Sequence, residues 1–346
     1  MSKVGKYISV ACLLLVCAIV QSCRDEYYYD DKEPDFIGAS IYDYLEKQGD
    51  FTLFLRVVKD LKYDQVLAKT GSKTVFVADD TTFIKGIKEE WGFDSYEQLT
   101  AAHKRLILNS AMLDNAYLLE MLSKLPSADS YAEPTPGQCL RRVTSAVVTD
   151  TIPVFLSTDL PTNNKHWANL RKNNGGIRLA LDATQTLMTH FTEELLYQKN
   201  ITETDLGLLV GREGEAKVSD IYIFDKKVLR EKSDVTCKNG YVHQLDGLLI
   251  PPSNIAEEIR KHDNLTIFNR VLDRFSAPVP IGKTSKIAED FNRIYNFGGE
   301  PVQLYEKRYF TEQTARGAAG DFLSFVDEKD TTRYAEGSLL FDPGWN

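Results

Sequence analysis

Between residues 36 and 67 the apolar positions recur at three- and four-residue steps: Ile41, Tyr44 and Leu45, then Phe51, Phe54, Leu55 and Val58. That spacing stacks side chains on one helix face and predicts two helices, broken at Gly49-Asp50, with Asp50 as candidate cap of the second. Gly71-Ser72-Lys73 turns into Thr74-Val75-Phe76-Val77-Ala78, a short β-branched and aromatic run that predicts a strand. Asp79-Asp80-Thr81-Thr82 offers N-caps to a helix running through Phe83, Ile84 and Ile87. Residues 99–122 read as helix, 127–137 as a proline-rich loop, and 140–151 as strand. Residues 158–176 are polar and turn-rich, and 179–198 return to helical spacing. Residues 218–224 alternate as a strand, and the apolar run 242–250 closes at Pro251-Pro252. Helices and strands mix without regular β-α-β alternation, which predicts an α+β fold.

The N-terminus carries a separate message. Lys3 and Lys6 precede an uncharged run from Ile8 to Val20, thirteen residues long, ending in Val20-Gln21-Ser22-Cys23. A bilayer-spanning helix needs about 20 apolar residues, so the run suits a secretory signal instead. Its end resembles the lipobox of bacterial lipoproteins: an aliphatic residue three before a cysteine, a small residue just before it, and the cysteine. Gln21 is a less usual choice in that pattern. The resemblance implies cleavage after Ser22 and acylation of Cys23, so that residues 1–22 are a signal peptide; an ordinary signal peptide with a chance cysteine is the other reading. Several acyl chains hold a protein at a bilayer far better than one, at about 0.8 kcal/mol per buried methylene. Residues 23–35, with Asp25, Glu26, Asp30 and Asp31 among three tyrosines, form an acidic tether. They resemble as well the acidic signal that sends lipoproteins of one Gram-negative group to the outer leaflet. The expected location is the outer membrane, lipid-anchored and facing outward.

Composition narrows the function classes. The chain has 346 residues, 43% hydrophobic and 26% charged, enough for two ordinary globular domains. Its formal charge is −9, and removing residues 1–22, which carry Lys3 and Lys6 and no acid, makes it −11. Such a balance, without a Lys/Arg stripe, argues against nucleic acid as a partner. Five cysteines exclude a disulfide-dense scaffold. Cys139 and Cys237 could pair in an oxidising compartment or remain two buried thiols.

One internal repeat is visible. A shift of 214 aligns Ile41 with Ile255, Leu45 with Ile259, Thr52 with Thr266, Phe54 with Phe268, Arg56 with Arg270 and Val57 with Val271. Polar positions match too, so helical period alone is the weaker explanation, and tandem domains follow. No second strand like 74–78 is apparent after Pro251-Pro252-Ser253, so residues 254–346 read as a partial or diverged copy, either truncated or with a tail turned into a cap.

Two segments resemble the paired boxes of the fasciclin-like domain family. The first is Thr74-Val75-Phe76-Val77-Ala78-Asp79-Asp80-Thr81-Thr82-Phe83; the second, more specific, is Asn239-Gly240-Tyr241-Val242-His243-Gln244-Leu245-Asp246-Gly247-Leu248-Leu249-Ile250-Pro251-Pro252. The resemblance implies a wedge of mixed β-sheet with packed helices over residues 36–253, enlarged by an insertion at about 126–214, and a partial second domain after it. Thr74, Phe76, Phe83, Asn239, Gly240, His243 and Asp246 are its expected box residues. Asn239-Gly240 suits a tight turn with positive φ, His243 a backbone hydrogen bond, and Asp246 acceptance from the adjoining turn. The chain departs from the family in having Asp79 where a proline is usual. It also lacks the Tyr-His pair linked to animal adhesion, since Leu106-Ile107-Leu108-Asn109-Ser110-Ala111 occupies the matching stretch.

The implied function is non-catalytic adhesion or ligand binding at the cell surface, to a protein or a matrix polymer. The alternative is a glycan-binding accessory subunit of an outer-membrane polymer-uptake complex, and the remotest a metal-dependent hydrolase. No cofactor is implied, and the chain shows no Gly-x-Ser-x-Gly elbow, His-Glu-x-x-His or phosphate-cradling loop. Within the insertion, His166, Trp167 and Asn169 are the ligand-binding candidates: a flat aromatic beside hydrogen-bonding neighbours Asn163 and Asn164 could stack on a sugar ring. The competing account makes Trp167 the hydrophobic anchor of the insertion. On a predicted helix, His190 and Glu194 stand at i, i+4, a weak metal-binding pattern.

Overall fold

A computed structural model describes residues 38–69, 71–125, 133–152, 154–162, 165–172, 176–180, 187–296 and 299–309. Cys23, its signal peptide and tether, and Asn163 and Asn164 lie outside the described residues.

The predicted helical stretch at 36–67 resolves into α1 (Ile41–Gln48), α2 (Thr52–Asp60) and α3 (Asp64–Lys69). α1 opens on a capping box between Ser40 and Asp43 and closes at Gly49 in the left-handed region. The cap of α2 is not the expected Asp50. It comes in trans from Asp80, whose carboxylate accepts from Leu53 N at 2.8 Å and from Thr52 Oγ1 at 2.5 Å. Asp50 contributes its carbonyl instead, to Asp80 N at 2.8 Å.

β1 (Lys73–Val77) follows, then α4 (Asp80–Trp91), capped as predicted by Asp79, which accepts from Thr82 N at 2.9 Å. The single helix predicted over 99–122 is shorter: α5 (Ala101–Ser110) gives way to β2 (Met112–Leu113) and a 3-10 turn at Leu119–Met121. β3 (Arg141–Val143), β4 (Val154–Phe155), α6 (Ala168–Arg171) and β5 (Ile177–Ala180) come next. The helical spacing at 179–198 misleads, because a strand, β6 (Leu187–Phe191), precedes the helix α7 (Glu193–Gln198). Leu187, Met188 and Phe191 fit either period over so short a run. α8 (Glu203–Leu209), β7 (Tyr222–Ile223), β8 (Lys226–Lys227), β9 (Val235–Cys237) and β10 (Gly240–Gln244) complete the stretch to Pro251. The last third holds α9 (Ile255–Lys261), α10 (Thr266–Arg274), β11 (Ser276–Pro280), α11 (Lys286–Tyr295) and β12 (Leu304–Tyr309).

Three small four-stranded sheets organise these elements, ordered β2-β1-β10-β9, β3-β6-β7-β8 and β11-β12-β5-β4. The fold is thus mixed α and β with helices segregated from regular crossovers. β1 and β10 pair in parallel, so that Phe76 faces His243, and the main core packs α1, α2, α4 and α5 on that sheet through Ile41, Leu45, Phe54, Val57, Phe83 and Ile107.

The repeat extends further than the sequence indicated. β11 and α11 follow α9 and α10 as β1 and α4 follow α1 and α2, with the offset dropping from 214 to 203 at the strand because nothing matches α3. The strand was hidden by Pro278 and Pro280, which remove ladder donors and are tolerated because β11 is an edge strand. Its sheet is completed from the insertion: β12 pairs in parallel with β5, and β5 antiparallel with β4. From Ala39 onward the chain forms one unit by its contacts, and this third sheet crosses the expected boundary at residue 253. Among the described residues no helix is long and apolar enough to cross a membrane.

Candidate functional site

The two boxes meet at one backbone residue. Thr74 Oγ1 donates to Asn115 O at 2.7 Å and accepts from Tyr117 N at 2.7 Å, while His243 Nε2 lies 3.0 Å from Tyr117 O. His243 Nδ1 accepts from Asp234 N at 3.1 Å, which leaves the proton on Nε2 to donate to Tyr117. The ring is fully buried against Phe76, 5.1 Å between centroids, and burial lowers its pKa against the opposing pull of the Tyr117 carbonyl and Asp234. His243 is therefore the backbone-pinning residue the sequence suggested.

Asn239 clamps three elements. Its Oδ1 accepts from Ile41 N at 2.9 Å, its Nδ2 donates to Leu67 O at 2.7 Å, and its carbonyl accepts from Lys73 N at 3.0 Å. Gly240 follows at φ +145°, where a Cβ would lie 1.8 Å from the Lys73 carbonyl oxygen, so the approach of β10 to β1 requires glycine. Phe83 is buried in the main core.

Beyond β10 the second box turns outward and lines an open cleft of about 490 Å³. Its floor is a bidentate pair: Arg212 Nη1 and Nη2 stand 2.6 and 3.0 Å from the two Asp246 oxygens. Asp246 also accepts from Lys227 N at 2.8 Å, the turn contact expected of it. The cleft's lining also includes Thr82, Lys85, Glu89 and Glu90 of α4, Phe224, Asp225 and Lys226, and Pro251, Pro252, Glu258 and Lys261. Gly86 lets α4 close on the box, since a Cβ there would meet Leu248 Cβ at 2.3 Å. Charges in the cleft are matched: Lys261 bridges Glu90 and Glu258 at 3.1 Å each, Lys226 meets Asp225 at 2.6 Å, and Lys85 faces Glu89 at 3.7 Å. Such a surface presents many donors and acceptors, little net charge, and apolar rings and prolines between them. It suits an extended polar ligand more than a small ion.

Arg212 is the residue sequence reasoning missed. Gly211-Arg212-Glu213-Gly214 read only as a turn, and nothing local announces a partner 34 positions away.

The second set of candidates is corrected. Trp167 is wholly buried among Leu160, Ile177 and Leu179, and its Nε1 donates to Ser276 Oγ at 3.1 Å. Neither face of the indole is open for a sugar ring; Trp167 is the anchor that seats the insertion on β11. His166 beside it is half-buried, and Asn169 is exposed with its Oδ1 accepting from Lys172 Nζ at 3.2 Å. None of the three lines the cleft beyond the second box. His190 lies in strand β6, buried, with Nε2 2.9 Å from Cys139 O, so the helical pairing with Glu194 does not exist. Among the described residues no group of three or more His, Cys, Asp or Glu could hold a metal. Cys139 and Cys237 are both buried free thiols, and burial pushes Cys237 up to about 11.

A scan against protein-family models finds no match, and a search of curated proteins finds none either.

Proposed function

We propose that this chain is a lipid-anchored surface protein whose fasciclin-like body binds an extracellular protein or matrix polymer without chemical turnover. The observation that carries the reading is the cleft beyond the second box: its floor is fixed by Arg212 and Asp246, and its walls pair every basic side chain with a carboxylate. A surface so neutralised holds a polar chain by many hydrogen bonds and by packing on Phe224, Pro251 and Pro252. The lipobox-like Val20-Gln21-Ser22-Cys23 supports the anchor, and the meeting of both boxes at Tyr117 supports the fasciclin-like wedge.

The test is binding of residues 24–346 to a polysaccharide array and a panel of matrix proteins, with Lys85→Glu and Lys226→Glu as cleft variants. Loss of binding in both, with unchanged thermal stability, is expected. Binding to glycans alone selects the polymer-uptake accessory role; binding that both variants retain overturns the cleft.

A further inference from the structure

Three features of the cleft beyond the second box narrow what it holds. The first is Phe224. Between β7 and β8 the chain turns through Phe224 and Asp225, and Phe224 stands at φ +54°, in the left-handed region where glycine is the ordinary choice. Its amide donates to Thr189 O at 2.9 Å, which holds the turn in place. The ring is half-buried: it rests on the core that includes Phe76, Met188 and Leu245, and it lines the cleft. A bulky side chain kept in a conformation it disfavours, at the border of a cavity, points to a use for the ring itself.

The second feature is charge. Among the described residues five carboxylates and four basic groups line the cleft, and each basic group has a carboxylate within 3.7 Å. An anionic ligand finds no cation to itself there and meets a surplus acid. The third is the backbone. β8 is an edge strand that borders the cleft through Lys226, yet its outward groups at Lys227 are both taken by Asp246. The Asp246 carboxylate accepts from Lys227 N at 2.8 Å, and Asp246 N donates to Lys227 O at 3.0 Å. Leu229 N is likewise spent, on Gln244 O at 2.8 Å. An extended peptide therefore has no strand edge to join at β8.

We infer that the cleft holds an uncharged polysaccharide, with one sugar ring stacked on Phe224 and neighbouring hydroxyls bound by the ion-paired side chains. This rests on the cleft being the binding site and names the chemistry of its ligand, whether the polymer is matrix or cargo. A sugar ring has an apolar C–H face and a rim of hydroxyls that both donate and accept. The aromatic ring takes the face. A carboxylate offers about four lone-pair positions, so one already held by a lysine keeps acceptors for hydroxyls.

Titration calorimetry on the chain 24–346 tests this, using neutral hexose oligosaccharides, uronate and sulfated oligosaccharides of equal length, and peptides of matrix proteins. The neutral sugars alone should bind. Their affinity should fall about tenfold or more in Phe224→Leu, which keeps the apolar packing and removes the flat ring, and stay within about threefold in Phe224→Tyr. Phe224→Gly should bind as poorly as Phe224→Leu and still unfold cooperatively, because glycine accepts φ +54°. Neutral-sugar binding that Phe224→Leu and Phe224→Gly both retain overturns the inference, and so does preference for the acidic sugars or the peptides. Those results leave the cleft standing as the site when Lys85→Glu lowers whichever binding is found. Binding that Lys85→Glu leaves unchanged overturns the cleft itself.

Discussion

His243 and His190 are two buried imidazoles held neutral, and both make acid stability a residue-scale matter. Burial and then Arg142 push His190 down to about 4, and burial lowers His243 as well. A depressed folded pKa means that the unfolded chain binds the proton first, so their contribution is complete above about 6.5 and is lost as pH falls toward 4. Carboxylates with lowered values, such as Asp60 and Asp114, begin to lose their contribution only from about pH 5 downward, so the upper part of this window belongs to the histidines. Melting temperature should therefore fall between pH 6.5 and 4, with His190 alone supplying at most roughly 3 kcal/mol. His190→Gln should flatten the profile, and an unchanged slope would remove His190 from the account. His243→Ala leaves Asp234 N and Tyr117 O without their ring partner and should cost about 1–3 kcal/mol in chemical denaturation. At this scale the sequence was legible for His243, Asn239 and Gly240, where turn and strand chemistry is local. It was silent on Arg212, because a salt bridge across 34 residues leaves no local mark. It left Trp167 open, because a buried anchor and a stacking platform have the same composition.

Elements were readable wherever period and caps agreed. α1, β1 and α4 stand where apolar spacing and Asp79 put them, and β10 follows the Asn239-Gly240 turn but ends at Gln244, short of the apolar run to Ile250. Two failures have physical causes. β6 carries a spacing that fits a helix equally well, because five residues cannot distinguish the two periods, and β11 gives no strand signal because its prolines mimic a loop while the edge position tolerates them. The cap of α2 shows a third limit: the signal sat at Asp50, but the carboxylate that does the capping is Asp80, brought across by the turn after β1. Asp80→Ala should destabilise by about 1 kcal/mol, and Asp50→Ala by less than half of that, measured by urea denaturation. Equal costs would return the cap to Asp50. Gly240→Ala should prevent the β1–β10 pairing altogether, visible as loss of cooperative unfolding, since its Cβ has no space beside Lys73 O.

For the whole molecule, the stretch from Asp150 to Ala180 is built into the sheet of the last third of the chain. Its strands β4 and β5 extend the β11–β12 sheet, Trp167 plugs against Ser276, and Asp150 is held by Asn109 Nδ2 at 2.8 Å and Tyr295 Oη at 2.9 Å. Asp150 so ties α5 to α11 through the insertion. The sequence suggested two domains in series with a loop-borne site; strand pairing over more than a hundred residues could not be read from a single chain. Trp167→Ala should cost about 3–5 kcal/mol through the cavity and should leave ligand binding by the folded fraction intact. A selective loss of binding at unchanged stability would restore Trp167 to the site.

The most direct measurement is adhesion of cells carrying the full chain to surfaces coated with matrix proteins or polysaccharides, comparing wild type, Cys23→Ala and Lys85→Glu. Wild-type cells should adhere, Cys23→Ala should release the protein from the membrane and abolish adhesion, and Lys85→Glu should keep the protein anchored and folded while adhesion falls. Adhesion undiminished by both substitutions would contradict an anchored binding module that works through this cleft.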